Sequence, residues 1–291
     1  MMEIDGLAKS YGDKVALDGV TFTVRSGEMF GFVGANGAGK TTTMRIAMGV
    51  LEPDAGEVRF DGHRLGFADR RRFGYMPEER GLYPKMKIAE QIAYFGELHG
   101  MSAAKSKKSA MEWLERLNLA DRAGDHVQDL SLGNQQRVQL AVALVHEPEV
   151  LILDEPFSGL DPIAVDTMAD VLAERNASGV PVLFSSHQLE LVERICDSVG
   201  IIADGKMVAV GSVGELRRKE GRRFLKVAVD DAPGGWADAL PGTVVGTDDG
   251  ALLIETDDDQ AVLAGAVKAG RVTHFGWQEP TLVEIFREAV A

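Results

Sequence analysis

Between an apolar pentapeptide, Met29 to Val33, and a helix-forming run lies Gly34-Ala35-Asn36-Gly37-Ala38-Gly39-Lys40-Thr41, which fits the spacing G-x-x-x-x-G-K-[ST]. No other feature of the 291 residues restricts the fold as much. Glycines let the backbone curl until successive N–H groups face one concavity, and the following helix adds partial positive charge at its N-terminus. Such a turn holds phosphate oxygens and joins a strand to a helix, so it belongs to an α/β sheet. Gly34, Asn36, Gly37, Ala38 and Gly39 supply backbone, Lys40 reaches the outer phosphates, and the Thr41 hydroxyl, with Thr42 beside it, is placed for a magnesium ion.

The order of elements agrees. Residues 3–9 and 14–24 read as strands around a turn at Tyr11-Gly12-Asp13. The pattern predicts a helix over 39–50 and strands over 57–60 and 73–76. It predicts helices over 88–99 and 104–117, with Ile88, Ile92, Phe95 and Leu98 on one face and Met111, Leu114 and Leu117 on another. Further helices begin near Gly133, at Pro162 and after His187, and strands cover Val150 to Leu153 and Val182 to Ser185. This alternation predicts a mainly parallel sheet with added antiparallel strands and a mostly helical insert at about 85–130. Arg217, Arg218, Lys219, Arg222, Arg223 and Lys226 crowd one stretch, read either as a solvated linker or as a patch for anionic lipid. The boundary is placed there, giving domains 1–220 and 221–291. The second reads strand, helix, two strands, helix, strand, as in a ferredoxin-like sandwich. A last helix follows, opened by the capping box of Thr281 and Glu284.

Val150-Leu151-Ile152-Leu153-Asp154-Glu155 is an apolar strand ending in two carboxylates. Beside a phosphate-binding turn, Asp154 suits a magnesium ion and Glu155 suits a general base for an attacking water. Composition narrows the partners. The net charge of −14 disfavours nucleic acid. The single cysteine, Cys196, lies in an apolar run and reads as a small core residue of a reducing compartment. No window of about 18 uncharged apolar residues occurs and the first residues carry no basic, apolar leader, so the expectation is a chain that does not itself span a membrane. His63, His99, His126, His146 and His274 show no metal-ligand spacing.

Further motifs follow in order: Leu130-Ser131-Leu132-Gly133-Asn134-Gln135-Gln136-Arg137, Ser158-Gly159-Leu160-Asp161 and Ser185-Ser186-His187. With the turn, the two carboxylates and Tyr11, they make residues 2 to 220 resemble the ATPase subunit of ATP-binding cassette transporters. The resemblance implies that Tyr11 stacks on adenine and that His187 meets the γ-phosphate. It implies that Ser131, Gly133 and Asn134 serve the ATP of an opposite copy in a head-to-tail dimer. By their own chemistry, Tyr11 reads as a turn or core aromatic, His187 as a structural histidine, and Asp161 as an N-cap. Two departures stand out. Glu78 replaces the usual glutamine, and Leu132 and Asn134 replace a glycine and a glutamine of the signature. A carboxylate at 78 can bind magnesium but adds negative charge near the γ-phosphate. The run Glu78 to Pro84 and the signature resemble the sodium and drug extrusion subgroup, which also carries a small C-terminal domain. The resemblance therefore implies ATP and Mg²⁺ as cofactors and an integral membrane permease as partner. It also implies a cytoplasmic location, peripheral on the inner face of the membrane. Leu82, Tyr94 and Phe95 read either as a groove for that partner or as core. Two other classes remain open: a cassette acting on ribosomes or DNA, and a nucleotide-sensing module.

Overall fold

The structure, a computed structural model, describes residues 1–79, 81–219, 224–248 and 250–290. The chain begins β1 (Met2–Tyr11), β2 (Lys14–Val24), β3 (Met29–Val33), α1 (Lys40–Ala47), β4 (Ala55–Phe60), β5 (His63–Arg64), α2 (Phe67–Arg70) and β6 (Phe73–Met76). It continues α3 (Ile88–Leu98), α4 (Ala103–Arg116), α5 (Leu132–Leu144), β7 (Val150–Leu153), α6 (Pro162–Ala177), β8 (Val182–Ser186), α7 (Leu189–Ile195), β9 (Ser198–Ala203) and β10 (Lys206–Ser212). The last stretch is α8 (Val213–Lys219), β11 (Phe224–Asp230), β12 (Thr243–Asp248), β13 (Ala251–Glu255), α9 (Asp259–Ala269), β14 (Arg271–Gln278) and α10 (Leu282–Val290). Two compact units result, Met1–Val213 and Gly214–Ala289. The helix α8 thus goes with the second unit; the boundary anticipated at 220/221 lies among residues outside those described.

The first unit contains a six-stranded sheet in the order β10-β9-β3-β8-β7-β6. All its neighbours run parallel except the β9–β10 hairpin. Every residue of β3, β7 and β8 is buried, which is why these strands read as unbroken apolar runs rather than alternating ones. A second, antiparallel sheet has the order β2-β1-β4-β5. Aromatic pairs join the two sheets: Phe22 stacks on Phe30 with centroids 4.9 Å apart and lies 5.0 Å from Phe32, and Phe60 meets Phe73 edge-on at 5.2 Å. Met44, Ile46 and Ala47 of α1 complete that core.

In the helical insert Ile88, Ile92, Leu114 and Leu117 are buried as expected, but the edges of both faces differ. Leu98 is 55% and Met111 44% exposed, while Ile88, Gln91 and Ile92 of α3 and Ala110, Trp113 and Leu114 of α4 face inward. Small residues decide this. A Cβ on Gly96 would stand 2.9 Å from Ser106 Oγ, so the two helices approach closely at Gly96 and Ser106. Ser102 caps α4 by accepting from the Lys105 N–H at 3.3 Å.

The second unit is an antiparallel sheet in the order β12-β13-β11-β14 with α9 against β11 and β14. Numbered within the unit, that is strand order 2-3-1-4, the split βαβ arrangement of a ferredoxin-like sandwich. Its first crossover is shortened to a 3₁₀ turn at Trp236–Ala239, because Pro233 and Pro241 bracket too few residues for a helix. Leu225, Val227, Ile254, Val262 and Ala266 form its core. The Thr281 box is present: the Thr281 N–H donates to Glu284 Oε2 at 2.7 Å and the Glu284 N–H to Thr281 Oγ1 at 3.3 Å. Of the basic cluster, Lys226 pairs with Asp248 at 2.6 Å, and Arg222 and Arg223 lie outside the described residues. Cys196 is partly buried rather than in the core, with its sulfur against Gly31, and desolvation pushes the thiol pKa well up.

Behind β6 the His99 and His146 rings stack at 3.6 Å. Each bonds a backbone carbonyl, His99 Nδ1 to Arg71 O at 2.8 Å and His146 Nε2 to Phe73 O at 3.1 Å. Carbonyls only accept, so both of these nitrogens carry hydrogen. Burial, and then the neighbouring ring, lower the His146 pKa from 6.5 to about 4. A histidine kept neutral by the fold stabilises it above its free pKa and loses that contribution as pH falls toward the folded value. Acidification from pH 7 to 4 should therefore remove about 3 kcal/mol more from the wild type than from His146→Leu, read from urea unfolding at each pH.

Candidate active site

Four strands of the parallel sheet end together. Val33 pairs with Ser186, Leu153 with Phe184, and Met76 with Leu153. The next residues along each chain are Gly34, His187, Asp154 and Pro77, so every loop that follows opens on one edge, where open α/β sheets bind ligands. At the turn, a Cβ on Gly34 would meet Ile202 O at 2.4 Å. Gly39 has φ 114°, and a Cβ there would stand 2.6 Å from Leu17 Cδ2. Only glycine fits either place. Lys40 is buried and donates to Gly34 O at 2.7 Å and Ala35 O at 3.3 Å.

A cavity of about 280 Å³ lies over this turn, lined among others by Tyr11, Asn36, Lys40, Thr41, Glu78 and Glu155. Gly37, Gly39 and Thr42 also reach it. Lys14 and Ala16, which sequence reasoning did not single out, line it beside Tyr11, itself half exposed. Gly34 and Ala38 sit behind the wall, where Ala38 is buried and Gly34 holds the lysine. Ser131, Gly133 and Asn134 do not line the cavity. They form the start of α5, where Ser131 Oγ accepts from the Asn134 N–H at 3.4 Å and the intervening Leu132 is 59% exposed.

Asp154 is fully buried at the foot of the site. Its Oδ1 accepts from the Ser185 hydroxyl at 2.5 Å, while Oδ2 has no hydrogen-bond partner. Burial raises its pKa, against the opposing pull of Ser185 and Thr41. Beside it, burial and then the Asp154 charge push the Tyr75 phenol up to about 12. Glu155 occupies the left-handed region, φ 51°, unusual for a side chain of its size. Neighbours fix it there. Its N–H donates to Ser185 Oγ at 2.8 Å, and Gln136 Nε2 donates to Glu155 O and Pro156 O, both at 3.0 Å. The Glu155 carboxylate accepts from His187 Nδ1 at 2.9 Å and stands 3.8 Å from Lys40 Nζ. The Thr41 hydroxyl donates to Glu78 Oε2 at 3.3 Å. Glu155 thus stands against the Lys40 ammonium, while Asp154 and Glu78 place two more carboxylates on the Thr41 side, where a cation would offset their charge.

The family described as "ABC transporter" matches residues 17–158, and "ATP-binding protein DrrA1-3-like, C-terminal domain" matches residues 211–290. The uncharacterized ABC transporter ATP-binding protein YhaQ of Bacillus subtilis is 40% identical, with 100% of this chain and 98% of that one covered. The chain belongs to the ATP-binding subunits of ABC transporters. The daunorubicin resistance ATP-binding protein DrrA3 of Streptomyces coeruleorubidus is 35% identical over 97% of this chain and 93% of its own. A solved ATP-binding subunit of an ABC transporter is similar with TM-score 0.70 and 35% identity, covering 76% of this chain and 93% of that chain. As a member of this family the protein is an ATPase with an α/β cassette fold. No helix among the described residues is long and apolar enough to cross a membrane.

Sequence reasoning missed how this ATP-binding subunit supports its carboxylates. Ser185 was read only as a flank of His187, yet its one hydroxyl serves both Asp154 and Glu155. Gln136 and Gln139 stand on the buried face of α5; two glutamines phased with Leu140 and Ala143 were the available signal. Arg80, part of the run from Glu78 to Pro84, lies outside the described residues. Ser185→Ala should lower kcat about 10- to 100-fold while ATP affinity changes by less than about threefold, measured as steady-state turnover against equilibrium nucleotide binding.

Proposed function

We propose that this ATP-binding subunit powers export through a separate integral membrane permease, working as a head-to-tail pair of copies at the inner face of the membrane. One observation carries the reading. The cavity over Gly34–Thr41 gathers Lys40, Glu155 and Glu78, yet Ser131, Gly133 and Asn134 open elsewhere on the start of α5. Each copy then holds one nucleotide on its turn and offers its α5 start to the other's, and a two-fold axis makes both seams alike. Sequence likeness to DrrA3, a resistance protein, supports outward transport. Tyr83, Tyr94 and Phe95 form a partly exposed aromatic cluster, centroids 5.8 to 6.3 Å apart, that would receive a helix of the permease.

A magnesium ion fits the oxygen donors present. Asp154 Oδ2 is buried without a partner, and the Thr41 hydroxyl and Glu78 carboxylate stand beside it. When bound with ATP it neutralises charge on the outer phosphates. Lys40 leaves Gly34 O to pair with those phosphates. Glu155, oriented by His187 Nδ1 and by the fixed backbone at 155 and 156, takes a proton from the attacking water. The water oxygen bonds to the γ-phosphorus and the bond to the ADP oxygen breaks. Tyr11 and Ala16 bound the base, and tighter binding of ATP by the closed pair supplies the work.

Glu155→Gln should retain ATP binding and lower turnover at least about 100-fold, leaving an ATP-bound dimer visible by size-exclusion chromatography. Lys40→Ala should lose most ATP affinity. Normal turnover by the first variant would remove Glu155 as base; unchanged binding by the second would remove the turn as the phosphate site.

A further inference from the structure

Consecutive residues at the end of β6 are each held by a different element. Met76 O accepts from the Asp154 N–H at 2.7 Å, Pro77 O from Gln139 Nε2 at 2.6 Å, and Glu78 Oε2 from the Thr41 hydroxyl at 3.3 Å. The middle bond comes from α5. Gln139 is 3% exposed, one turn beyond Gln136, which is 4% exposed and holds the backbone of Glu155 and Pro156. One helix face therefore suspends both loops that carry site carboxylates, and the first turn of that helix carries Ser131.

Gln139 makes this contact at a cost. Its Oε1 is buried with no hydrogen-bond partner, an unfavourable state that an apolar side chain of equal length would avoid. What the amide gains is the donation to Pro77 O. Proline offers no N–H of its own, so this bond and the two flanking ones are what locate the backbone on which Glu78 stands. At its far end the same segment is held again, by the Tyr83 N–H donating to Gln91 Oε1 of α3 at 2.7 Å.

We infer that Gln139 is a positioning residue for Glu78: it sets where that carboxylate stands on the cation side of the nucleotide site, and ties that place to the helix bearing Ser131. The inference rests on the reading of Glu78 as part of the magnesium site. The test is equilibrium binding of a fluorescent ATP analogue to the full chain as Mg²⁺ is varied, in wild type, Glu78→Ala, Gln139→Met and the double variant. Each single variant should raise the Mg²⁺ concentration for half-maximal binding about 10-fold. Affinity at saturating Mg²⁺ should stay within about threefold of wild type, and the double variant should match Glu78→Ala alone, as expected for residues acting as one unit. A wild-type Mg²⁺ requirement in Gln139→Met, or a double variant showing the two shifts multiplied, overturns the role of Gln139 and leaves Glu78 standing. A wild-type requirement in Glu78→Ala overturns the reading of Glu78 itself, and the inference with it. Gln139→Ala, which keeps helix propensity and also lacks the donor, reads the same outcomes if the methionine variant does not fold.

Discussion

The in-register parallel pairing of β3, β8, β7 and β6 is the constraint on which the site depends. Adjacent strands lie about 4.8 Å apart, so loops leaving the same edge of four neighbouring strands converge within a few strand widths. The phosphate-binding turn, Glu78 and Glu155 are far apart in sequence and line one cavity, with Asp154 and His187 beside Glu155, because the loops that carry them leave the same edge of the sheet. Both faces of the sheet are covered, by helices on one side and by the antiparallel sheet through Phe22, Phe30 and Phe32 on the other, and burial is what keeps a parallel sheet in register.

On that frame the site concentrates unfavourable features. Asp154 is a buried carboxylate with an unpartnered oxygen, Glu155 sits in the left-handed region, and Glu78 adds a third acid. Strain of the Glu155 kind costs about 1–3 kcal/mol and persists only where neighbours over-determine the backbone. Here Ser185 and Gln136 hold it from two sides. The arrangement is poorly balanced for an empty protein and well balanced for one that receives a polyanion together with a divalent cation.

The helix α5 connects these features. Its first turn presents Ser131 outward, its second and third turns hold the backbones of Glu155 and Pro77, and its flank packs against α3 of the helical insert. The insert and the two carboxylate loops are therefore held by one helix. The second unit, with its own core and ferredoxin-like strand order, meets the size and burial needs of a separate folding unit.

Much of this was legible in the sequence, because it depends on local chemistry. The turn from Gly34 to Thr41 announces itself by glycines that only close backbone contacts require, and the strands before it and before Asp154 by runs too apolar to be half exposed. The ferredoxin-like order of the second unit followed from element spacing alone. Other features depend on which surfaces meet, and those only the tertiary structure decided. Periodicity placed Ile88, Ile92, Leu114 and Leu117 inward, but the close approach of α3 and α4 at Gly96 and Ser106, and the exposure of Leu98 and Met111, it could not show. The pairing of Ser185 with the Asp154 carboxylate and the Glu155 N–H, and of Gln139 with Pro77, spans 30 to 62 residues of chain. A hydroxyl or an amide has no preferred partner until strand register and helix packing bring one within reach, so its role is written in the fold rather than in its neighbours along the chain.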